Sequence, residues 1–232
     1  MLNEDDINWL AEYYPVLTAT TEEISGAIEI TATYNLETNR FLNLSGGVID
    51  AVGGIRLSGS FTISIRERVD KPFSELPGLR IDGLEANPAR HINRSDGTAC
   101  LGSPLDEGKY LIPEFRFQPF FEELVIPFLY GQLFFSREGF WPWPDYDHGS
   151  IGLLESYARL ADSSMAEKCL KKLSNDKEWP VIRALLRQRS DLKGHTLCFC
   201  ESKGKMKNCH PEALDGLKKL QVNTREQGLM LQ

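Results

Sequence analysis

Ala89-Arg90-His91-Ile92-Asn93-Arg94-Ser95-Asp96-Gly97-Thr98-Ala99-Cys100-Leu101-Gly102 places a His, an Asn and a Cys within ten residues of one another. Three chemistries compete for this stretch. Cys100 can be a nucleophile with His91 as its base. It can be a thioester carrier, with Asn93 supplying an amide donor to the developing oxyanion. It can also be a small buried hydrophobe, the commonest fate of a free cysteine.

The stretch lies in a long irregular region. Between Asp70 and Asp106 stand Pro72, Pro77, Pro88 and Pro104 together with Gly78, Gly83, Gly97 and Gly102. Irregular segments of this length tend to carry function. Upstream, Ile28, Ile30, Ala32 and Tyr34 alternate with Glu29, Thr31 and Thr33, which predicts a half-buried strand. Residues 47–52 suit a second strand. Ile55, Leu57, Phe61, Ile63 and Ile65 predict a third, ending near Arg66. Ile7, Leu10 and Ala11 predict a helix over 4–13, stopped by Pro15. Downstream, Phe115 to Phe135 is strongly apolar but carries Pro119 and Pro127, so a kinked helix or one begun at a proline is expected. Trp141-Pro142-Trp143-Pro144 is a rigid break whose tryptophans suit packing or a partner. Helices are predicted near 149–162, 164–174, 178–190 and 211–220. The order is α+β with segregated layers.

In that order, His91-Ile92-Asn93, Gly97 and Cys100-Leu101 resemble the active-site segment of ubiquitin-conjugating enzymes. There a His-x-Asn tripeptide is followed by a Gly and then by the thioester Cys and a Leu. Pro72-Phe73-Ser74-Glu75-Leu76-Pro77 resembles that family's proline-rich bend. The resemblance covers roughly residues 3–165. Ile92 stands where eukaryotic members usually have Pro, and the gap from Asn93 to Cys100 is one residue shorter. The similarity is stronger to divergent bacterial members, found in ubiquitin-like conjugation operons that defend against phage.

The resemblance implies a four-stranded antiparallel meander with flanking helices. It implies that Cys100 holds a ubiquitin-like protein as a thioester, and that an amine of a target protein then attacks it. A ubiquitin-activating-like enzyme would load it. Asn93 would stabilise the oxyanion or order the loop, His91 would organise the loop, and Gly97 would permit the turn that presents Cys100. Two other readings stay open: a non-catalytic adaptor, and a thiol hydrolase using Cys100 with His91 or His148.

Asp145-Tyr146-Asp147-His148-Gly149 reads as a turn in which Asp147 or Ser150 caps the next helix. Its functional reading sets Asp145, Tyr146 or His148 over the thioester to orient or deprotonate the amine.

Near the C-terminus, Cys198-Phe199-Cys200 is followed by eight residues and then Cys209-His210. Four such ligands match a closed tetrahedral zinc site, structural because no position stays open. The alternative is a chance grouping of thiols. The spacing resembles the SEC-C motif of the bacterial secretion ATPase, although Glu201 stands where Gly is usual. His195 lies outside the pattern, and Cys169 reads as core.

Charge separates the two ends. Residues 1–164 hold 12 Lys+Arg against 25 Asp+Glu, and residues 165–232 hold 14 against 8. The net charges of −13 and +6 suggest two units with different partners. The basic end has no aromatic-interleaved pattern, so nucleic acid is not an expected partner. Glu4, Asp5 and Asp6 sit where a secretory signal would be basic. The apolar run Leu124–Phe135 is shorter than the about 20 residues that span a bilayer. A cytoplasmic, membrane-free protein is expected. The expected divisions are 1–165 for the conjugating-like domain, 166–196 for a helical linker region, and 197–232 for the zinc motif and last helix.

Overall fold

A computed structural model describes residues 2–38, 40–43, 54–68, 76–94, 96–111, 114–143, 146–160, 163–200, 202 and 204–230. The chain forms two compact units. The first draws on Met1–Lys71, Glu75–Gly102 and Glu107–Asp145; the second includes Ser103–Asp106 and Tyr146–Gln232. The boundary expected at 165 therefore falls inside the second unit.

The first unit opens with α1, Glu4–Tyr13. Asn3 Oδ1 accepts from Asp6 N–H at 2.8 Å and Asp6 Oδ2 accepts from Asn3 N–H at 3.1 Å, a reciprocal capping box. The acidic first turn also suits the positive end of the helix dipole.

An antiparallel sheet follows: β1 (Leu17–Ala19), β2 (Glu23–Asn35), β3 (Arg40–Asn43), β4 (Gly54–Arg66) and β5 (Gly78–Ile81). Its order is β1-β2-β4-β5, a meander, with β3 paired to β2. β4 runs along β2 from Glu23↔Arg66 to Asn35↔Gly54, so β1 and β3 must share the other edge of β2. The predicted alternation holds: Ile24, Ile28, Ile30, Ala32 and Tyr34 of β2 are buried, as are Ile63 and Ile65 of β4. The strand expected at 47–52 lies outside the described residues. β1, β3 and β5 are additions to the sequence reading, each too short for periodicity to reveal.

After a short α2 (Gly108–Leu111), the apolar run becomes one helical stretch: α3 (Phe117–Phe120), a π turn (Phe121–Val125) and α4 (Ile126–Glu138). Pro127 has no N–H to continue the regular ladder. Ile126 N–H reaches back to the Phe121 carbonyl, five residues away, and the π turn absorbs the mismatch. α4 buries Ile126, Phe128, Leu129, Tyr130 and Phe134 in the core that also holds the inner sheet residues. Tyr130 O–H donates to the Ile55 carbonyl at 2.7 Å, and burial pushes its phenol up to about 12. Among the described residues, no helix is long and apolar enough to cross a membrane.

The second unit is helical: α5 (Gly149–Arg159), α6 (Ala166–Leu173), α7 (Trp179–Leu186), α8 (Met206–Cys209) and α9 (Pro211–Glu226). Its core joins Leu154, Tyr157, Cys169, Leu173, Ile182, Met206, Leu217 and Leu220. Burial pushes the Cys169 thiol far up, in keeping with a core residue. α9 extends beyond the end expected at 220. Its last turns bury polar groups that find partners, such as Asn223 Nδ2 donating to Tyr157 Oη at 2.6 Å and Gln221 Nε2 donating to the Leu185 carbonyl at 3.1 Å.

Candidate functional site

The Cys100 loop belongs to the first unit. Pro88–Arg90 forms a 3-10 turn opened by Asn87, whose side chain accepts from Ala89 N–H at 3.0 Å. His91 ends the turn in the left-handed region, at φ 54° and ψ 37°. Among the described residues it is the only non-glycine there. Ile92 and Ala99 then pair as an isolated antiparallel bridge. Asn93 N–H donates to the Thr98 carbonyl at 2.9 Å, and Cys100 N–H donates to the His91 carbonyl at 2.7 Å. The result is a tight hairpin with Gly97 at φ 68°, as its glycine predicted.

Three supports hold this hairpin. Ala99 N–H donates to the Leu79 carbonyl at 2.8 Å. Asp82 N–H donates to the Thr62 carbonyl, so the alternation of β5 turns the backbone N–H and carbonyl of Leu79 away from β4. The hairpin thus sits on the outer edge of β5. From α4, the buried Gln132 donates Nε2 to the Arg90 carbonyl at 2.7 Å and accepts from Arg90 Nη1 at 3.2 Å. Finally, Trp141 Nε1 donates to the Ala89 carbonyl at 2.9 Å, and its ring meets that of His91 edge-on with centroids 4.8 Å apart. Trp141 and Trp143 are therefore packing residues, with Trp143 against Tyr34 and Phe41.

His91 is buried, with its carbonyl accepting from the Cys100 amide and its ring against Trp141. Asn93 Nδ2 donates to Thr98 Oγ1 at 3.1 Å, and Thr98 Oγ1 donates to Asp96 Oδ1 at 2.8 Å. Burial alone would raise the Asp96 carboxyl. The bonds from Thr98 and the charge of Arg68, 3.7 Å away, outweigh it and hold the group below its ordinary value. The Asn93–Thr98–Asp96 chain is a support that sequence reasoning missed. Its signal was present in Asp96-Gly97-Thr98, where Asp96 Oδ1 accepts from Thr98 N–H two residues on. Cys100 itself is partly exposed.

Replacing Gly131 tests the Trp141 support. A Cβ there would lie 2.0 Å from the Trp141 ring, which is also packed by Phe128, Phe135 and Trp143. Gly131→Ala is expected to cost about 1–3 kcal/mol in urea unfolding. Alkylation of Cys100, followed by peptide mass spectrometry, should be faster. An unchanged rate at reduced stability would mean that Trp141 does not hold the loop.

Tyr146, Asp147, His148 and Ser150 lie in the second unit. His148 is exposed and occupies the N-cap of α5 without a side-chain capping bond. The sequence reading has Asp147 or Ser150 cap this helix. Asp147 instead accepts from the His148 N–H through Oδ1 at 2.7 Å, and no side chain caps the first turn from the N-cap. Tyr146 lies under the Arg159 guanidinium, 4.4 Å from the ring centre, and burial raises its phenol. Asp145 lies outside the described residues.

The four C-terminal ligand residues come together. Leu197 and Lys205 form an antiparallel bridge, flanked by Cys198 N–H to the Gly204 carbonyl and Met206 N–H to the Thr196 carbonyl, each 2.8 Å. This small hairpin presents Cys198 and Cys200; α8 and the N-terminus of α9 present Cys209 and His210. Their ligand atoms all lie within 4.8 Å of one another. Cys198 Sγ is 3.2 Å from His210 Nδ1, and Cys200 Sγ is 3.4 Å from Cys209 Sγ. Edges of a tetrahedron with metal–sulfur bonds of about 2.3 Å are about 3.8 Å, so the residues fit a metal ion. Ser202 Oγ lies 2.9 Å from Cys200 Sγ and 3.0 Å from Cys209 Sγ. Its hydroxyl draws the Cys200 thiol down to about 6, while burial pushes Cys198 up to about 12. His195 is not in the cluster, and Glu201 lies outside the described residues. No protein-family model, no curated protein and no solved structure matches this chain.

Proposed function

We propose that the chain is a ubiquitin-conjugating-like transferase that carries a ubiquitin-like protein on Cys100. The observation that carries this reading is the Cys100 hairpin. It follows the last strand of a β1-β2-β4-β5 meander, and its His91-Ile92-Asn93, Gly97 and Cys100-Leu101 stand in the family's order. In the first step the Cys100 thiolate attacks the donor's C-terminal carbonyl carbon, held as a thioester on the activating enzyme. A new C–S bond forms and the enzyme's thiolate leaves. In the second step an uncharged amine of a target protein attacks that carbonyl. A C–N bond forms, Cys100 leaves as thiolate, and the amine proton passes to solvent or a nearby base. Asn93 would order the loop or meet the oxyanion. The metal of the Cys198, Cys200, Cys209 and His210 cluster is read as a structural zinc. The setting is that of a conjugation system of the bacterial defence kind.

The test is incubation with cognate activating enzyme, ubiquitin-like protein and ATP. Wild type should give an adduct that thiol reductant removes, Cys100→Ser at most a reductant-resistant ester, and Cys100→Ala none. An adduct unchanged in Cys100→Ala would overturn the assignment. Intact partner binding and biological activity in Cys100→Ala would favour the adaptor reading.

A further inference from the structure

We propose that Asp147 is an outer-shell carboxylate of the metal site, fixing His210 as an Nδ1 ligand and pinning the start of α5 when metal binds. The proposal rests on the reading of the cluster as a zinc site. The His210 ring faces two ways: Nδ1 is 3.2 Å from Cys198 Sγ, and Nε2 is 2.9 Å from Asp147 Oδ2. A neutral imidazole that gives Nδ1 to a metal keeps its proton on Nε2, and a carboxylate there sets both tautomer and ring orientation. Asp147 reaches this position from 63 residues upstream in the chain.

Asp147 is itself held. Its Oδ1 accepts from the His148 N–H at 2.7 Å, and its own N–H donates to Glu155 Oε2 at 2.8 Å. Glu155 lies in the second turn of α5 and His210 immediately precedes α9, so the Glu155–Asp147–His210 chain ties the metal cluster to α5. The charged groups around it include Glu212 and Arg159, which form a bidentate pair of their own at 2.5 and 2.6 Å.

Zinc affinity of the full chain is to be measured by competition with a chromophoric chelator. Asp147→Ala should weaken binding about 10–100-fold. Asp147→Asn keeps an acceptor oxygen and should lose less. In a His210→Cys background, which retains four ligands but has no ring to orient, Asp147→Ala should leave the affinity unchanged. Adding zinc to the wild type should also slow amide exchange over Tyr146–Gly152, and this slowing should shrink in Asp147→Ala. Equal affinity of wild type and Asp147→Ala, equal losses in both backgrounds, or zinc-independent exchange in that segment would each overturn the proposal. A wild type that binds no zinc would overturn the metal reading itself, a result distinct from these.

Discussion

Adding excess strong chelator to the zinc-loaded protein is expected to unfold Thr196–His210 and lower the thermal midpoint of the second unit. Among the described residues the hairpin's backbone pairing is one bridge with a bond on either side. Cys198 and Met206 are buried, but Leu197 is 68% exposed. A segment so short cannot bury enough apolar surface to offset its ordering entropy. Structural zinc contributes roughly 10–16 kcal/mol to comparable small sites, which on the zinc reading would decide the balance. His210 immediately precedes α9, so the loss should spread into that helix. Cys209→Ser should reduce bound zinc from about one per chain, set by the four-ligand count, towards none. The measurements are metal analysis by atomic emission and amide exchange over Thr196–His210. Protection that persists after complete metal removal would show that protein contacts alone hold the hairpin.

Gly216→Ala is expected to destabilise the second unit by about 3 kcal/mol or more, against a usual domain stability of about 5–15 kcal/mol. In an ordinary helix this change stabilises by about 1 kcal/mol, so the expected sign is reversed. A Cβ at position 216 would lie 1.9 Å from the Leu154 carbonyl oxygen and 2.8 Å from its carbon. These are backbone atoms of α5 with no flexible end to give way, so α5 and α9 would have to separate. Separation would also strain the 2.6 Å bond between Asn223 and Tyr157, both buried. Leaving such groups without partners costs a further 1–3 kcal/mol, roughly. Urea unfolding followed by far-UV circular dichroism measures the change. A raised midpoint would mean that the two helices do not meet at this glycine.

Much of this architecture is legible from local rules. Ile7, Leu10, Ala11 and Pro15 announce α1, and the alternation from Ile28 to Tyr34 announces β2. The ligand cluster is readable because its four residues crowd into a short span. Gly97 shows where the Cys100 loop must turn. What local rules miss depends on distant partners. β5 has only Leu79 and Ile81 as inward residues, paired with Ile65 and Ile63, and it stands among prolines and glycines that suggest loop. The end of α9 looks polar until Leu185 and Tyr157 supply partners for Gln221 and Asn223. Asp147 reads as a helix cap because caps are local, whereas its histidine partner lies far along the chain. The left-handed backbone of His91 has no sequence signal beyond the tolerance of His for that region.

The bond from Ala99 to Leu79 has one more effect, on solubility. β5 ends the sheet, and an outermost strand with open carbonyls and amides is a template for pairing between molecules. Here the hairpin that carries Cys100 lies over that template and occupies one of its acceptors. A chain whose hairpin was loosened would therefore expose a strand able to recruit a second copy. Selection against aggregation and selection for the thiol's placement would then act on the same few residues.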